Sequence, residues 1–311
     1  MTEKKLRLLL ESLKIPYEEE TSLATYTSFR VGGRARFLAK PENEASLREL
    51  FAELGGDVPL FYLGGGSNVL ISDEGFLGLV VQLHLPEKIE ILEQNNDYLK
   101  VYLPASARTA WSGKKISELG YTHAEFMTTI PGTVGGALAQ NAGCYGKEIK
   151  DVVETIRLLD QGEIKELSKE EASFSYRHSI FKEKNVLALG ATFVFPKGDL
   201  REINKRIESY RSHRLKSQPK NRRSAGSVFK NPPGKKAWQL LDEAGLRGFT
   251  QGGAEISREH CNFIINHGQA TAFDIYYLMC YAEERVWRHH GIRLEREIVL
   301  VGHFPQLVFS L

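Results

Sequence analysis

The sequence predicts an α+β protein, on three observations. Apolar residues recur at helical spacing near both ends. Pairs of apolar runs flank turn residues, as in hairpins. The composition turns basic after Pro196. At 311 residues the chain has room for roughly two domains, or three small ones. It is 42% hydrophobic and 26% charged, which excludes disordered, collagen-like, coiled-coil and disulfide-scaffold classes. Lys plus Arg number 41 against 39 Asp plus Glu, so charge alone makes no case for a nucleic-acid or acidic-membrane partner. Cys144, Cys261 and Cys280 form no C-x-x-C pair, which suits free thiols in a reducing compartment. No stretch approaches about 18 consecutive apolar residues, and Leu8-Leu9-Leu10 is too short for a secretion signal. A cytoplasmic location is expected.

Each element has its own signal. Leu6, Leu9, Leu10 and Leu13 place residues 2–14 on one helical face. Residues 25–39 read as extended, broken at Gly32-Gly33, and a helix over 44–54 should stop at Gly55-Gly56. A short strand over 59–63 runs into a glycine cluster, followed by strands over 69–71 and 77–83. Residues 89–92 and 98–103 form one hairpin around Asn95-Asn96-Asp97. Residues 152–159 and 164–167 form another across Gln161-Gly162. Helices over 107–119 and 134–139 lie between them, and 186–195 closes the region as an apolar strand. Residues 201–216 then read as a charged helix; from Arg201 to Arg223 there are nine Lys or Arg against two Glu. A helix over 235–244 ends at Gly245, and 261–265 reads as a strand. Thr271 with Asp274 starts the last helix as a capping box, and Gly291 stops it. Residues 297–301 form a final strand. A boundary falls near 196, with 297–311 returning to the first part.

Two glycine clusters carry chemistry. Gly64-Gly65-Gly66-Ser67-Asn68-Val69 follows a strand, so backbone N–H groups can face an anion at close range, as a pyrophosphate requires. It is not a Walker A loop, because no G-K-[ST] follows. Nor is it a Rossmann fingerprint, because Val69 stands in the third glycine's place. A tight turn without ligand would have the same pattern. The second cluster runs from Ile130-Pro131-Gly132-Thr133-Val134-Gly135-Gly136 to Asn141-Ala142-Gly143 and on to Gly146. Its small residues would let a flat ring or a phosphate approach the backbone, or simply pack a helix closely. The nine histidines show no ligand spacing, so no metal is expected.

The runs Thr27-Ser28-Phe29-Arg30-Val31-Gly32-Gly33, Gly64 to Leu70 and Ile130 to Gly146 occur in this order. Together they resemble the FAD-binding half of the UDP-N-acetylenolpyruvoylglucosamine reductases. Ser175-Tyr176-Arg177, Ser224-Ala225-Gly226-Ser227-Val228-Phe229-Lys230-Asn231-Pro232 and Leu294-Glu295-Arg296-Glu297-Ile298 match the same family. The resemblance covers nearly the whole chain, and the run from Ala225 to Pro232 is its most discriminating piece. It implies a two-subdomain FAD-binding fold of the PCMH/vanillyl-alcohol-oxidase-like kind, with a C-terminal α+β substrate-binding domain. The implied parts are 1–80 and 81–196 for FAD, 197–296 for substrate, and 297–311 as a strand returning to the site.

The implied reaction is NADPH-dependent, FAD-mediated reduction of UDP-N-acetylglucosamine enolpyruvate to UDP-N-acetylmuramate, in peptidoglycan precursor synthesis. The expected cofactors are FAD and NADPH. The expected partner is the small nucleotide substrate, with no nucleic acid, membrane or obligate protein partner. Hydride addition to the enol builds charge into the adjacent carboxylate, which calls for fixed cations and donors, and then for a proton. The resemblance gives the carboxylate to Arg177 and Glu297 and the proton to Ser227. Arginine's charged planar fork suits the first task. A bare Glu297 would repel the developing charge, so burial or a proton is expected there. The cofactor-binding residues it implies are Gly64, Gly65, Gly66, Ser67, Asn68, Val69, Ile130, Pro131, Gly132, Val134, Gly135, Gly136, Asn141 and Gly143. The stretch between Arg177 and Ser227 is too short for the tyrosine-bearing loop of the family's longer type. That leaves Lys216 and Asn231 as candidates for holding the diphosphate. The rival readings are an FAD oxidase or dehydrogenase of the same fold acting on an alcohol or hydroxy acid, and a non-catalytic flavin- or nucleotide-binding protein.

Overall fold

The computed structural model describes residues 1–54, 58–219 and 222–309. The expected helix stop at Gly55-Gly56 lies outside them. The chain divides into two compact units. Unit 1 comprises Met1–Glu18, Phe37–Gly65 and Gly78–His213; unit 2 comprises Glu19–Arg36, Gly66–Leu77 and Arg214–Leu311.

Unit 1 has two cores. In the first, helix Glu3–Ser12 buries Leu6 and Leu10, and helix Glu44–Leu54 buries Leu47, Leu50 and Leu54. These pack with Phe37, Leu79, Val81, Leu187 and Leu189. Strand Leu60–Tyr62 runs parallel to residues 79–81, with Leu60 opposite Leu79 and Tyr62 opposite Val81. The second core lies on an antiparallel sheet ordered Glu163–Ser168, Val153–Asp160, Leu187–Pro196, Tyr98–Pro104, Glu90–Gln94. Leu99, Val101 and Leu103 alternate into that core, as do Ala191, Phe193 and Phe195. The hairpin at Gln161-Gly162 turns through two positive φ values, 48° and 86°, the conformation that a two-residue type I′ loop needs.

Helix Leu200–Ser217 is tied to unit 1 through its first turns. The guanidinium of Arg206 donates to Glu125 Oε1 from Nε at 2.9 Å and from Nη2 at 2.8 Å, and to Thr122 Oγ1 at 2.9 Å. Tyr210 stacks on Tyr145 at 4.0 Å between centroids.

Unit 2 is built round helix Ala272–His290. Thr271 Oγ1 accepts the Asp274 N–H, Asp274 accepts the Thr271 N–H, and Gly291 ends the helix at φ 66°. Asp73 adds two more acceptors, one carboxylate oxygen each for the Ala272 and Phe273 N–H groups at 2.8 Å. The first turn's orphan donors are thereby satisfied from two parts of the chain. The helix packs Ile275, Leu278, Met279 and Val286 against Leu240, Leu241, Ile256, Ile264 and Ile298. A three-stranded antiparallel sheet, Thr250–Gln251, Ala254–Ile256 and Ile264–Asn266, completes this layer. Val69–Ile71 pairs in parallel with Val299–Val301, so the final strand expected over 297–301 begins at Val299.

Some expectations shift. The strand placed at 261–265 is Ile264–Asn266, because residues 260–263 turn first, with the Phe263 N–H on the His260 carbonyl at 2.9 Å. Residues 25–39 are not one extended run: Leu23–Tyr26 is a 3-10 turn and the strand begins at Arg34. Strand Tyr17–Ser22 was invisible because its residues, YEEETS, are mostly polar and none is buried. Among the described residues no helix is long and apolar enough to cross a membrane.

The Glu125–Arg206 pair generates a test. Burial opposes the Glu125 charge, but hydrogen bonds from its own backbone, Arg206 and Thr122 hold the carboxyl below its ordinary 4.5. The stabilisation is therefore complete above that ordinary value and is lost as pH falls through the lowered one. Glu125 is 5% exposed and Arg206 39%, so Arg206→Ala should cost about 1–3 kcal/mol at pH 7, less than for a fully buried pair. Chemical denaturation should show the difference shrinking in acid. A difference that stays constant from neutral to strongly acidic pH would contradict this reading.

Candidate functional site

In unit 1 the two glycine clusters meet backbone to backbone. A Cβ on Gly65 would lie 2.6 Å from Gly132 Cα, and one on Gly64 2.7 Å from Thr133 Oγ1. Only glycine fits at either position. Gln82 Nε2 donates to the Gly64 carbonyl at 3.1 Å and braces the loop. Among the described residues, the N–H groups of Gly65 and Gly132 have no acceptor within the chain, so they are available to an anion. Val134 and Gly135 do different work. Their N–H groups bond to the carbonyls of Ala107 and Ala105 at 2.8 and 2.9 Å, and a Cβ on Gly135 would meet Ala105 Cβ at 2.9 Å. The Gly136 N–H donates to Thr133 Oγ1 at 3.4 Å. Ile130 is buried and Pro131 exposed. This small-residue cradle with unclaimed N–H groups fits a flat cofactor bearing a pyrophosphate, as FAD does.

The second half of that cluster supports Arg177. Ser175 and His178 exchange backbone hydrogen bonds at 3.1 Å across a tight turn, with Arg177 at φ 56°. Asn141 caps helix Val134–Gln140 at φ 42° and is fully buried. Its Nδ2 donates to the Ser175 carbonyl at 2.9 Å and to Glu148 Oε2 at 3.0 Å, while its Oδ1 accepts the Lys150 N–H at 3.1 Å. The guanidinium of Arg177 donates from Nη2 to the Gly143 carbonyl at 2.9 Å. It lies 3.9 Å from Glu148 Oε1 and 5.1 Å from the Tyr176 ring centroid. At 17% exposure this is not a solvated loop arginine. Gly143 lies too close to Lys147 and Glu148 for any side chain. Asn141 and Gly143, expected beside a cofactor, thus hold the Arg177 turn.

In unit 2, Gly66 sits at φ 62°, where a Cβ would lie 1.9 Å from the Tyr26 carbonyl oxygen; its own carbonyl accepts the Ser28 N–H at 2.9 Å. Ser67 is half-buried. Asn68 Nδ2 donates to the Glu297 carbonyl at 3.0 Å, and the Asn68 carbonyl accepts the Val299 N–H at 3.1 Å. Val69 begins the strand that pairs with Val299–Val301.

The segments that carry Ser227 and Glu297 run side by side here. The Val228 carbonyl accepts the Glu297 N–H at 2.8 Å, and the Lys230 N–H donates to the Glu295 carbonyl at 2.8 Å. Phe229 bridges Arg296, and Ser227 bridges Phe263 on the other side. Both Ser227 and Glu297 are half-buried. Arg296 anchors this segment through an ion pair with Glu283 of the long helix, at 2.6 Å from Nη2 to Oε2. Burial works against the Arg296 charge, and Glu283 outweighs it, raising the guanidinium above its ordinary value. Lys216 is exposed in the last turn of helix Leu200–Ser217. Asn231 Oδ1 accepts the Ala237 N–H at 2.9 Å and so caps helix Ala237–Glu243.

The sequence reading missed Asn262, Gln82 and Glu283. Each acts on a partner far away in the chain, which no local spacing displays. Only the occurrence of a polar residue inside an apolar run, as in Asn262-Phe263-Ile264-Ile265, could have drawn attention.

A family model for an FAD binding domain matches residues 35–168. A second, described as UDP-N-acetylenolpyruvoylglucosamine reductase, C-terminal domain, matches residues 218–301. The UDP-N-acetylenolpyruvoylglucosamine reductase of Leptospira interrogans serogroup Icterohaemorrhagiae serovar copenhageni is 43% identical over 309 residues, covering 95% of each chain. The protein of the same name from Carboxydothermus hydrogenoformans is 39% identical over 298 residues, 94% of this chain and 97% of its own. The crystal structure of UDP-N-acetylenolpyruvylglucosamine reductase (MurB) from Thermus caldophilus superposes with a TM-score of 0.79 at 32% identity, covering 93% of this chain and 99% of that one. The chain belongs to the UDP-N-acetylenolpyruvoylglucosamine reductase family.

Proposed function

We propose that this chain reduces UDP-N-acetylglucosamine enolpyruvate to UDP-N-acetylmuramate, with NADPH as reductant and FAD as carrier, for peptidoglycan precursor synthesis. The observation that carries the reading is the pairing of the Ser227 and Glu297 segments through the Val228 carbonyl, in a chain of this family that also holds a braced, largely buried Arg177.

FAD, when bound, supplies the hydride from its N5. Gly64, Gly65, Gly66, Ser67, Asn68, Val69, Ile130, Pro131, Gly132, Val134, Gly135, Gly136, Asn141 and Gly143 are the residues assigned to holding it. Arg177 binds the substrate carboxylate. Its charge is fixed, and its site is already desolvated, so it stabilises developing negative charge without first shedding water. Glu297 engages the same carboxylate through a hydrogen bond, since a bare anion would oppose the charge. Ser227 gives its hydroxyl proton to the carbon next to the carboxylate. Serine is a weak acid in water, so this role depends on a strongly basic partner held within reach. Lys216 and Asn231 are assigned to the diphosphate. The assigned parts are 1–80 and 81–196 for FAD, 197–296 for substrate and 297–311 for the returning strand. The reading places the protein in the cytoplasm, where a nucleotide substrate and NADPH are available, acting without an obligate protein partner.

Ser227→Ala should retain FAD and its reduction by NADPH, while product formation falls by about 10²–10⁴-fold. Normal steady-state turnover in that variant would remove the proton-donor assignment. Arg177→Ala should slow the second half-reaction by about 10²-fold or more at saturating substrate. Stopped-flow measurement of each half-reaction checks this, and a loss confined to NADPH oxidation would contradict the carboxylate role.

A further inference from the structure

Asn262 is 4% exposed, one of three buried polar residues in this stretch of unit 2, with Ser257 and Asn266. Its side chain pairs with the main chain of one residue: Oδ1 accepts the Phe229 N–H at 3.0 Å, and Nδ2 donates to the Phe229 carbonyl at 2.8 Å. Its own carbonyl accepts the Val228 N–H at 2.8 Å. One residue thus binds three main-chain polar groups of the segment that follows Ser227. Next to them, the Phe263 main chain bridges Ser227 itself. The Asn262 N–H in turn rests on His260 Nδ1 at 3.3 Å.

We propose that Asn262 is a positioning residue for Ser227, fixing the register of the 227–229 segment so that the serine hydroxyl meets the substrate carbon. The proposal rests on the functional reading above. The argument is one of matching groups. A carboxamide presents one donor and one acceptor side by side, as a neighbouring strand's backbone does, so Asn262 substitutes for a strand pair at a point where the chain turns. Phe229 is 2% exposed, so loss of either bond leaves a buried main-chain group without a partner, and the segment must shift to recover one. Leucine removes both groups. Aspartate sets an acceptor against the Phe229 carbonyl. Glutamine keeps both groups but carries them one methylene too far. On the opposite edge, the Val228 carbonyl holds the Glu297 N–H, so the same register also sets the backbone of the second proposed site residue.

A displacement of about 1 Å at a reacting group can cost on the order of 10²-fold in rate. The test measures steady-state turnover with NADPH and the enolpyruvyl nucleotide, in H₂O and in D₂O, for the parent chain, Asn262→Gln and Asn262→Leu. FAD content and the rate of flavin reduction by NADPH are recorded alongside. The expected result is a fall in maximal rate of about 10–10²-fold, with FAD content, flavin reduction and substrate KM close to the parent's. The solvent isotope effect on the maximal rate should exceed the parent's, because proton delivery now limits turnover. A merely structural asparagine would lower FAD content and raise KM together, with no change in the isotope effect, and that outcome overturns the proposal. So does parent-like turnover in the glutamine variant. If the leucine variant fails to fold, the glutamine variant decides. Failure of the parent itself to turn over the nucleotide would overturn the functional reading, and this proposal with it.

Discussion

The Val228 carbonyl accepts the Glu297 N–H, and through that bond two segments remote in sequence become one strand pair. Everything assigned to the chemistry of unit 2 hangs on this pairing. It sets Ser227 and Glu297 on neighbouring backbones, which diffusion of two loops could not do reliably against the entropy of ordering them. The pair is held from both sides. Asn262 grips the 228–229 edge. Asn68 donates to the Glu297 carbonyl, and Arg296 is anchored by Glu283 on the long helix. The helix is in turn fixed at its start by Asp73, beside the strand that pairs with Val299–Val301. Packed elements therefore fix the two backbones, although both segments are short and irregular.

Unit 1 holds Arg177 in a partly desolvated place, at 17% exposure. Arg177 lies on a turn with a positive φ, a conformation that costs free energy for a residue with a side chain. The fully buried Asn141 offsets that cost by binding the turn and the helix end at once. Arg177 donates to the Gly143 carbonyl and has Glu148 Oε1 at 3.9 Å. Its planar fork has the geometry that a carboxylate matches. The glycines serve two purposes that the sequence does not separate. Gly65 and Gly132 keep N–H groups with no acceptor among the described residues, while Gly64, Gly65, Gly135 and Gly143 permit close packing.

Much of the fold was legible because its signals are local. Thr271, Asp274 and Gly291 mark the long helix to the residue, and Gln161-Gly162 marks its hairpin. Strands Thr250–Gln251 and Ala254–Ile256 are too short to show a period. For the site, the family resemblance supplied Arg177, Ser227 and Glu297, and residue patterns alone would have left each as an ordinary surface or turn residue. What holds them was not legible. Asn262, Asn141 and Glu283 act on main-chain or charged groups distant in the chain, and a buried amide in sequence looks like any other polar residue. The basic run from Arg201 was similarly opaque. It reads simply as a charged helix, yet Arg206 in it is committed to the buried Glu125.

The account's central claim is a two-stage reduction of an enolpyruvyl nucleotide, and an anaerobic visible spectrum of the purified protein tests it most directly. With FAD bound, the account predicts a yellow flavin that bleaches on adding NADPH. It should regain its colour on adding UDP-N-acetylglucosamine enolpyruvate, as the lactyl ether forms. A flavin that bleaches and then stays reduced in the presence of that nucleotide would contradict it.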